Sequence, residues 1–392
     1  MIRNRISAFS VAMLFACSVV MAQSAPQAKL ETTLDKGLEF LKTAQKSDGS
    51  WQSSPQEPPG ISAMVLKALA SSGSPKYSAD TDFMKKGYDK LLSFQVGDGG
   101  IYTSELTCYN TAIAISALAA ANKPQYQEPI DKALKYLRGF QWQIGTTSPK
   151  GKKIANDKDP WYGGWGYEGN NGRPDLSNTQ VALDALRDAG LKPDDPAFKA
   201  AVAFVTRMQN HSETNDQPWS GNDGGFIYSP GEDDKGDSKA GEYTGPDGKR
   251  MLRSYGSMTY AGLKSFVYAG LSKDDSRVKA AWDWISKNYT LDENPGMKLG
   301  NPEMAKNGLY YYYHTMARAL NEYDEPTITD AQSKKHDWRV DLIDKLASLQ
   351  KPDGSWAGEA RWYENNPILT TAYVTIALEE IRSDLKQHPA AP

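Results

Sequence analysis

One carboxylate and one imidazole in this sequence stand where a chain can put them to chemical use. Asp175 lies in the run Pro174-Asp175-Leu176-Ser177-Asn178-Thr179-Gln180, just ahead of an apolar segment. A carboxylic acid there can donate a proton if burial or a second carboxylate holds that proton. The same residue in the same place is also an ordinary helix N-cap. His314, inside GLYYYYHTMARAL, is the one histidine of four that falls on an expected buried helix. It reads either as an acid–base group or as a satisfied core histidine. Tyr109, Asn110, Trp165, Asn178, Gln180, Tyr255, Tyr260, Tyr311, Tyr312 and Tyr373 gather at or near the starts of apolar segments. Phenol rings beside one imidazole and one carboxylate suit an amphipathic ligand with an apolar body and a polar head. No cofactor or metal motif accompanies them. The acidic run Glu232-Asp233-Asp234-Lys235-Gly236-Asp237 has the wrong spacing for a calcium loop and reads as a solvated turn.

These residues need a scaffold, and the scaffold is written as a repeat. Lys36–Trp51, KGLEFLKTAQKSDGSW, has Leu34, Leu38 and Leu41 at helical spacing, then Gln45, a turn at Ser47-Asp48-Gly49, and Trp51. The unit returns in LLSFQVGDGGIY and in LASLQKPDGSW, with weaker copies ending at Gln141 and Gln209. An aliphatic residue stands four before each Gln: Leu41, Leu91, Leu137, Val205 and Leu346. The helix over 278–288 is the degenerate copy without the Gln. Each unit is followed by a second helix of another kind, clearest in TAIAISALAAA, which is apolar or small almost all round and must be buried on both sides. The pattern predicts six pairs of one amphipathic outer and one buried inner helix, an all-α fold closing into an α/α toroid, with an open solenoid as the alternative. The inner helices are expected to point their N-termini at one mouth. Two stretches break the spacing, 143–175 and 211–254, long loops rich in Gly, Pro and charge but holding aromatics that predict packing.

The chain has 392 residues, 39% hydrophobic and 24% charged, with 45 basic against 48 acidic side chains. That balance carries no nucleic-acid footprint. Residues 1–22 read as an export leader: Arg3 and Arg5, an apolar run from Ala8 to Val20, and a small-residue cleavage site at Ala22. Residues 23–386 then form a single domain, periplasmic or extracellular. A lipoprotein anchored at Cys17 is the alternative. Only Cys108 remains in the mature chain, so no internal disulfide is expected and packing must hold the fold.

Taken together, these units resemble the terpene cyclase and prenyltransferase superfamily. KGLEFLKTAQKSDGSW is similar position by position to the Gln-Trp repeats of squalene-hopene cyclase, and the six helix pairs resemble the catalytic domain of that family over most of the mature chain. The resemblance implies an aromatic-lined central cavity for polyisoprenoids, whose ring faces stabilise carbocations. In the family an Asp-x-Asp-Asp-Thr-Ala motif opens an inner helix, and its middle Asp protonates an alkene. The corresponding stretch here keeps Asp175 and Thr179 but has Ser177 at the protonating position and Asn178 at its partner's. A hydroxyl cannot supply that proton. The sister group, protein prenyltransferase beta subunits, takes zinc from Asp, Cys and His. Tyr313-His314-Thr315 resembles the His context, but Tyr255-Gly256-Ser257 stands at the Asp-Gly-Cys, so one ligand of three is present and no metal is expected. The Cys-Gly-Glu-Gln signature of the related thioester domains is absent.

The resulting expectation is an exported toroid with a degenerate acid motif that binds an isoprenoid or lipid-like ligand. An active divergent cyclase or isomerase using Asp175 or His314, a carbohydrate-active toroid enzyme and a cell-envelope interaction scaffold are the alternatives. A carboxylate pair facing across the cavity favours the carbohydrate enzyme, an apolar cavity the lipid, and a filled centre the scaffold. Contact with a membrane surface and the oligomeric state are left open.

Overall fold

A computed structural model of the protein describes residues 25–52, 54, 57–168 and 172–390. The leader expected over 1–22, and Cys17 with it, lie outside the described residues. Helices alternate in character along the chain. The outer set is α1 (Ala25–Thr43), α3 (Asp82–Leu92), α5 (Gln127–Gly139), α7 (Pro196–Met208), α9 (Ser276–Lys287) and α11 (Trp338–Leu349). The inner set is α2 (Gly60–Ser71), α4 (Thr107–Ala120), α6 (Leu176–Asp188), α8 (Gly256–Tyr268), α10 (Leu309–Tyr323) and α12 (Pro367–Gln387). α1 shows why the outer helices stay outside: Leu30, Leu34, Leu38 and Leu41 are buried as one stripe, while Lys29, Asp35 and Lys36 face water. α4 has no such polar face, and every residue from Asn110 to Leu118 is buried.

The inner helices pack in sequence order, and α12 packs on α2, so the ring closes. α1 seals the seam by packing on α11 and α12. The toroid is therefore closed, and the open solenoid is set aside. Two short antiparallel hairpins add to the helices: β1 (Glu242–Thr244) with β2 (Arg250–Leu252), and β3 (Thr327–Thr329) with β4 (Lys335–Asp337). The first lies in the second long loop. The second connects α10 to α11, where the sequence pattern had marked nothing.

The repeated Gln is a staple between neighbouring outer helices. Gln45 Nε2 donates to Gly49 O of its own turn and to Phe83 O at the start of α3. Gln95, Gln141 and Gln209 do the same to Pro129, Ala197 and Arg277 at the starts of α5, α7 and α9. Gln350 donates to Gly354 O and Thr33 O, tying α11 back to α1. The indoles of Trp51, Trp165 and Trp356 donate to the carbonyls of Leu41, Leu137 and Leu346, the residues four before the Gln. A third bond completes the unit. The backbone N–H of Trp51, Ile101, Trp165, Phe226 or Trp356 donates to the hydroxyl of Ser62, Thr111, Thr179, Thr259 or Thr371 on the following inner helix. The turn glycine is needed for space as well as conformation. Gly49 has φ of 91°, and a Cβ on it would lie 2.4 Å from Lys86 O of the next outer helix.

Both long loops are packed. Trp161, Trp165, Trp219 and Phe226 are all buried. The acidic turn 232–237 is held by cations: Lys152 pairs with Asp234, Lys235 with Asp233, and Arg173 and Lys239 with Asp237.

Candidate functional site

The first turns of all six inner helices surround a central cavity of about 680 Å³. Ile61 of α2, Tyr109 and Ile113 of α4, Ser177 of α6, Met258 of α8, Tyr311 of α10 and Tyr373 of α12 contribute to its wall. The two long loops complete it, the first with Tyr167 and the second with Tyr228 and Lys239. Trp362 and Tyr363 stand at its edge, both with left-handed backbone and both exposed. The lining is thus phenols and aliphatics, with Lys239 as its cation and Glu57 and Glu105 as its carboxylates among the described residues.

The polar contacts inside this wall are made mostly between protein groups. Ser177 Oγ lies 3.0 Å from the Tyr311 hydroxyl, which also accepts from Gln180 Nε2 at 2.8 Å. Tyr311 and Tyr373 meet edge to face with centroids 6.0 Å apart. Burial pushes the phenols of Tyr109, Tyr167, Tyr228, Tyr255, Tyr311 and Tyr373 above their ordinary range, so they are hydrogen-bond donors at neutral pH. Lys239 Nζ sits 4.4 Å from the centre of the Tyr228 ring and 2.7 Å from Asp237 Oδ2.

Asp175 is the N-cap of α6. Its Oδ1 accepts from Asn178 N and its Oδ2 from Asn178 Nδ2, both at 2.8 Å. Burial pushes its carboxyl up to about 6 despite those two bonds. It is not part of the cavity lining, which places it behind the wall made by Tyr109, Tyr167 and Tyr228. The side chain at the cavity surface of this helix is Ser177.

Several residues picked out by pattern have other work. Trp165 belongs to a staple and is fully buried between helices, away from the cavity. Tyr260 and Tyr312 pack on each other at 5.7 Å between α8 and α10, outside the cavity wall, and Tyr312 donates to Thr290 O. Asn178 is committed to Asp175, and Gln180 lies one turn beneath the wall, reaching it through Tyr311. Asn110 does line the cavity, but its Oδ1 caps α2 through Gly60 N and its Nδ2 donates to Glu105 O and Leu106 O. The His314 ring packs tilted against the Tyr373 ring with centroids 5.2 Å apart and is not part of the cavity lining. Burial, then Lys264, Lys67 and Arg318, push its imidazole down to about 3, so it stays neutral and is a weak base. Tyr109, Tyr255, Tyr311 and Tyr373 are the picked residues brought together with their rings on the cavity. Tyr167, Tyr228, Lys239, Trp362 and Tyr363 were not picked. The aromatics of the two loops were visible in the sequence, but nothing in it tells which of them turn inward.

Beneath the cavity the ring is filled by charge. Lys264 Nζ lies 2.8 Å from Asp184, Lys67 Nζ 2.7 Å from Asp188, and Arg318 reaches both carboxylates while receiving support from the Tyr268 hydroxyl. Burial raises the Asp184 carboxyl, but Arg318, Lys264 and Lys67 together pull it below its ordinary value. This network spans α2, α6, α8 and α10 and forms the floor. Glu364, next to the rim residues Trp362 and Tyr363, caps the start of α10. Its Oε1 accepts from Tyr311 N at 2.7 Å, and burial pushes it up to about 7 although the N–H groups opening α10 oppose the shift.

No family model matches the chain. A stretch of 131 residues is 32% identical to lanosterol synthase erg7A of Aspergillus fumigatus, which is 30% of this chain and 17% of that enzyme. The chain thus matches about a sixth of the length of that relative. Among solved structures it is similar to the type II terpene cyclase MstE from Scytonema, with 14% identity and a TM-score of 0.55 over 91% of this chain and 100% of that one. It is similar in the same degree to the GH76A alpha-1,6-mannanase from Salegentibacter, with 9% identity and a TM-score of 0.56 over 90% and 99%. An unsaturated glucuronyl hydrolase specific for heparin gives 12% identity and 0.56 over 93% and 98%. With the ring of helix pairs and the stapling units described above, these likenesses give the chain a terpene cyclase-like α/α-toroid fold.

Proposed function

We propose that this protein binds an isoprenoid or similarly amphipathic lipid in its central cavity, and that it does not cyclise it by the protonation chemistry of type II cyclases. The observation that carries the reading is the pairing of Ser177 with Tyr311 on the cavity wall, while Asp175 is turned into its own helix cap. A cavity of about 680 Å³ lies in the range used for small organic ligands. Its aliphatic and ring surfaces suit a hydrocarbon body. Lys239 and the phenols provide a polar end. Export to the periplasm or the cell exterior, if the leader is used, puts such a protein beside membrane lipid.

Lipid extraction of the mature protein, followed by mass spectrometry, tests the binding reading. One hydrocarbon-rich species recovered at near one per chain, and lost when Ile113→Trp fills the cavity, is the expected result. Recovery of no lipid, with no saturable binding of squalene or geranylgeraniol, refutes it. Incubation with squalene in detergent tests the second half of the statement. Cyclic triterpenes that disappear in Asp175→Asn refute the reading of Asp175 as a cap.

Carbohydrate chemistry is the second reading. It is supported by Glu57 and Glu105, the carboxylates of the lining, and by the likeness to toroid enzymes that act on mannan and on heparin-derived sugars. Hydrolysis of an α-1,6-mannan that is abolished by Glu57→Gln or Glu105→Gln would establish it over the lipid.

A further inference from the structure

A second cleft lies on the outer side of the toroid, behind the start of α8. It holds about 320 Å³ and is walled by Asn222, Tyr243, Arg253, Trp284, Lys287 and Leu299. That is room for about ten water molecules. The second long loop, with its β1–β2 hairpin, provides one wall, and the end of α9 provides the other. Ser254 borders this cleft and its neighbour Tyr255 borders the central cavity, so the two sites stand back to back and are separate.

The charges here are unusual for this protein. Arg138, Arg207, Arg250 and Arg277 each hold a carboxylate. Arg253 holds none among the described residues. Its guanidinium stacks over the Tyr243 ring at 4.9 Å, and its Nε is buried with no acceptor. A buried donor left in this state is costly unless a ligand completes it. Lys287, across the cleft, also has no ion pair among the described residues and is exposed. Asp223 also lines the cleft and forms no ion pair with either cation among the described residues. Its Oδ1 accepts from Ser254 Oγ at 2.7 Å and Gly225 N at 3.0 Å.

The remaining groups are neutral and suited to hydroxyls. Asn222 accepts from Ser212 through Oδ1, which leaves its amide N–H groups to donate. Asn288 donates to Trp284 O at 2.7 Å, which leaves its Oδ1 to accept. Tyr243 is 40% and Leu299 60% exposed, large apolar surfaces at the rim of an otherwise polar cleft.

We propose that this cleft binds a small hydroxylated carboxylate of sugar-acid size. The guanidinium fork of Arg253 and the ammonium of Lys287 take the carboxylate, Asn222, Asn288 and the second oxygen of Asp223 take hydroxyls, and the C–H face of the ligand rests on Tyr243 and Leu299. The assignment does not depend on what fills the central cavity.

Calorimetric titration of the full-length mature protein with sodium D-glucuronate at low ionic strength tests it, with D-glucose and sodium acetate as comparison probes. Glucuronate is expected to bind saturably at one site and at least about tenfold tighter than either, because only it offers the charge and the hydroxyls together. Arg253→Gln should weaken it by about tenfold or more and Lys287→Gln by a smaller factor, while the melting temperature of both variants stays at the wild-type value. Ile113→Trp, which fills the central cavity, should leave glucuronate binding unchanged. Absence of saturable binding, or binding that Arg253→Gln does not weaken, overturns the proposal. Acetate binding as tightly as glucuronate overturns the sugar-acid class, and loss of binding in Ile113→Trp moves the site to the cavity.

Discussion

Replacing Asp175 by Asn removes a buried charge without removing the helix cap. Asn is as good an N-cap as Asp, so Asn178 N keeps its acceptor. The second bond can also survive. Asn178 Oδ1 has no partner, so a flip of that amide lets it accept from the new side chain. What the substitution removes is the charge. The carboxyl of Asp175 is raised from 3.8 to about 6 by burial in the folded chain. Between those two pH values the folded state holds a proton that the unfolded state has released. Stability therefore falls as pH rises through this window. The penalty is absent below about 3.8 and complete above about 6. Its size is about 3 kcal/mol for a shift of roughly two units. For about 360 ordered residues, an unfolding entropy near 2.1 cal/mol/K per residue converts that to about 4 °C in melting temperature. Asp175→Asn should melt about 4 °C above wild type at pH 7.5 and together with it near pH 4, as read by scanning calorimetry on both proteins across pH 4 to 8. A variant that melts below wild type at pH 7.5, or a difference that does not change with pH, refutes the burial argument. The carboxylate would then be stabilised in the folded state, as one paired with a neighbouring cation would be.

Asp184→Asn should cost about 3–5 kcal/mol because it leaves Lys264 and Arg318 buried without their shared counter-charge, and Asp184→Asn with Lys264→Met should recover much of that loss in denaturant titrations. The Lys264 ammonium is pushed down to about 8 by burial, against the pull of Asp184. Its penalty is complete below about 8 and relieved as pH rises towards 10.5, so stability measured by urea titration should climb over that interval and lose this climb in Lys264→Met. Gln350→Ala removes the bond that ties α11 to Thr33 O of α1 and the bond to Gly354 O of its own turn, and should cost about 1–3 kcal/mol, more than Gln95→Ala because it also opens the seam of the ring.

The fold was legible because its unit repeats. An aliphatic residue four before a Gln, and a Gly-x-aromatic after it, recur because one indole donates to that aliphatic residue's carbonyl and one amide reaches the next outer helix. The hydroxyls that receive the N–H of the residue ending each unit escaped notice for a physical reason. Ser62, Thr111, Thr179, Thr259 and Thr371 do the same job, but loops of different length separate them from Trp51, Ile101, Trp165, Phe226 and Trp356. No fixed spacing survives in the sequence. Thr179 therefore looked like the remnant of a catalytic motif, although its hydroxyl serves the scaffold. The candidate site was legible in composition and not in depth. On α6, Ser177 faces the cavity, Gln180 lies one turn beneath it, and Asp184 lies in the charged floor. On α10, Tyr311, His314 and Arg318 descend in the same way. A pattern that marks a buried helix says nothing about which turn meets the cavity, and so His314 was grouped with Tyr311 although it sits behind the wall.

That descent from phenol to charge constrains what the cavity can be for. Lys67, Asp184, Asp188, Lys264 and Arg318 fill the centre with ion pairs that are nearly closed to solvent. Buried ion pairs of this kind add little net stability over a packed apolar core, so their presence is not explained by stability alone. They do make the lower end of the ring impassable to hydrocarbon, because an apolar chain entering there would strip charged groups of their partners. A ligand must then enter and leave by the rim near Trp362, Tyr363 and Lys239. An amphipathic molecule can meet that condition with its body down and its polar end at Lys239. A long hydrocarbon folded for cyclisation would in addition need an acid against it, and the groups just beneath the wall, His314 held neutral and Gln180 bound to Tyr311, have no such proton to give; the buried carboxyl of Glu379, pushed up by burial, is not part of the cavity lining. The proposed binding without type II cyclisation is consistent with where these charges lie.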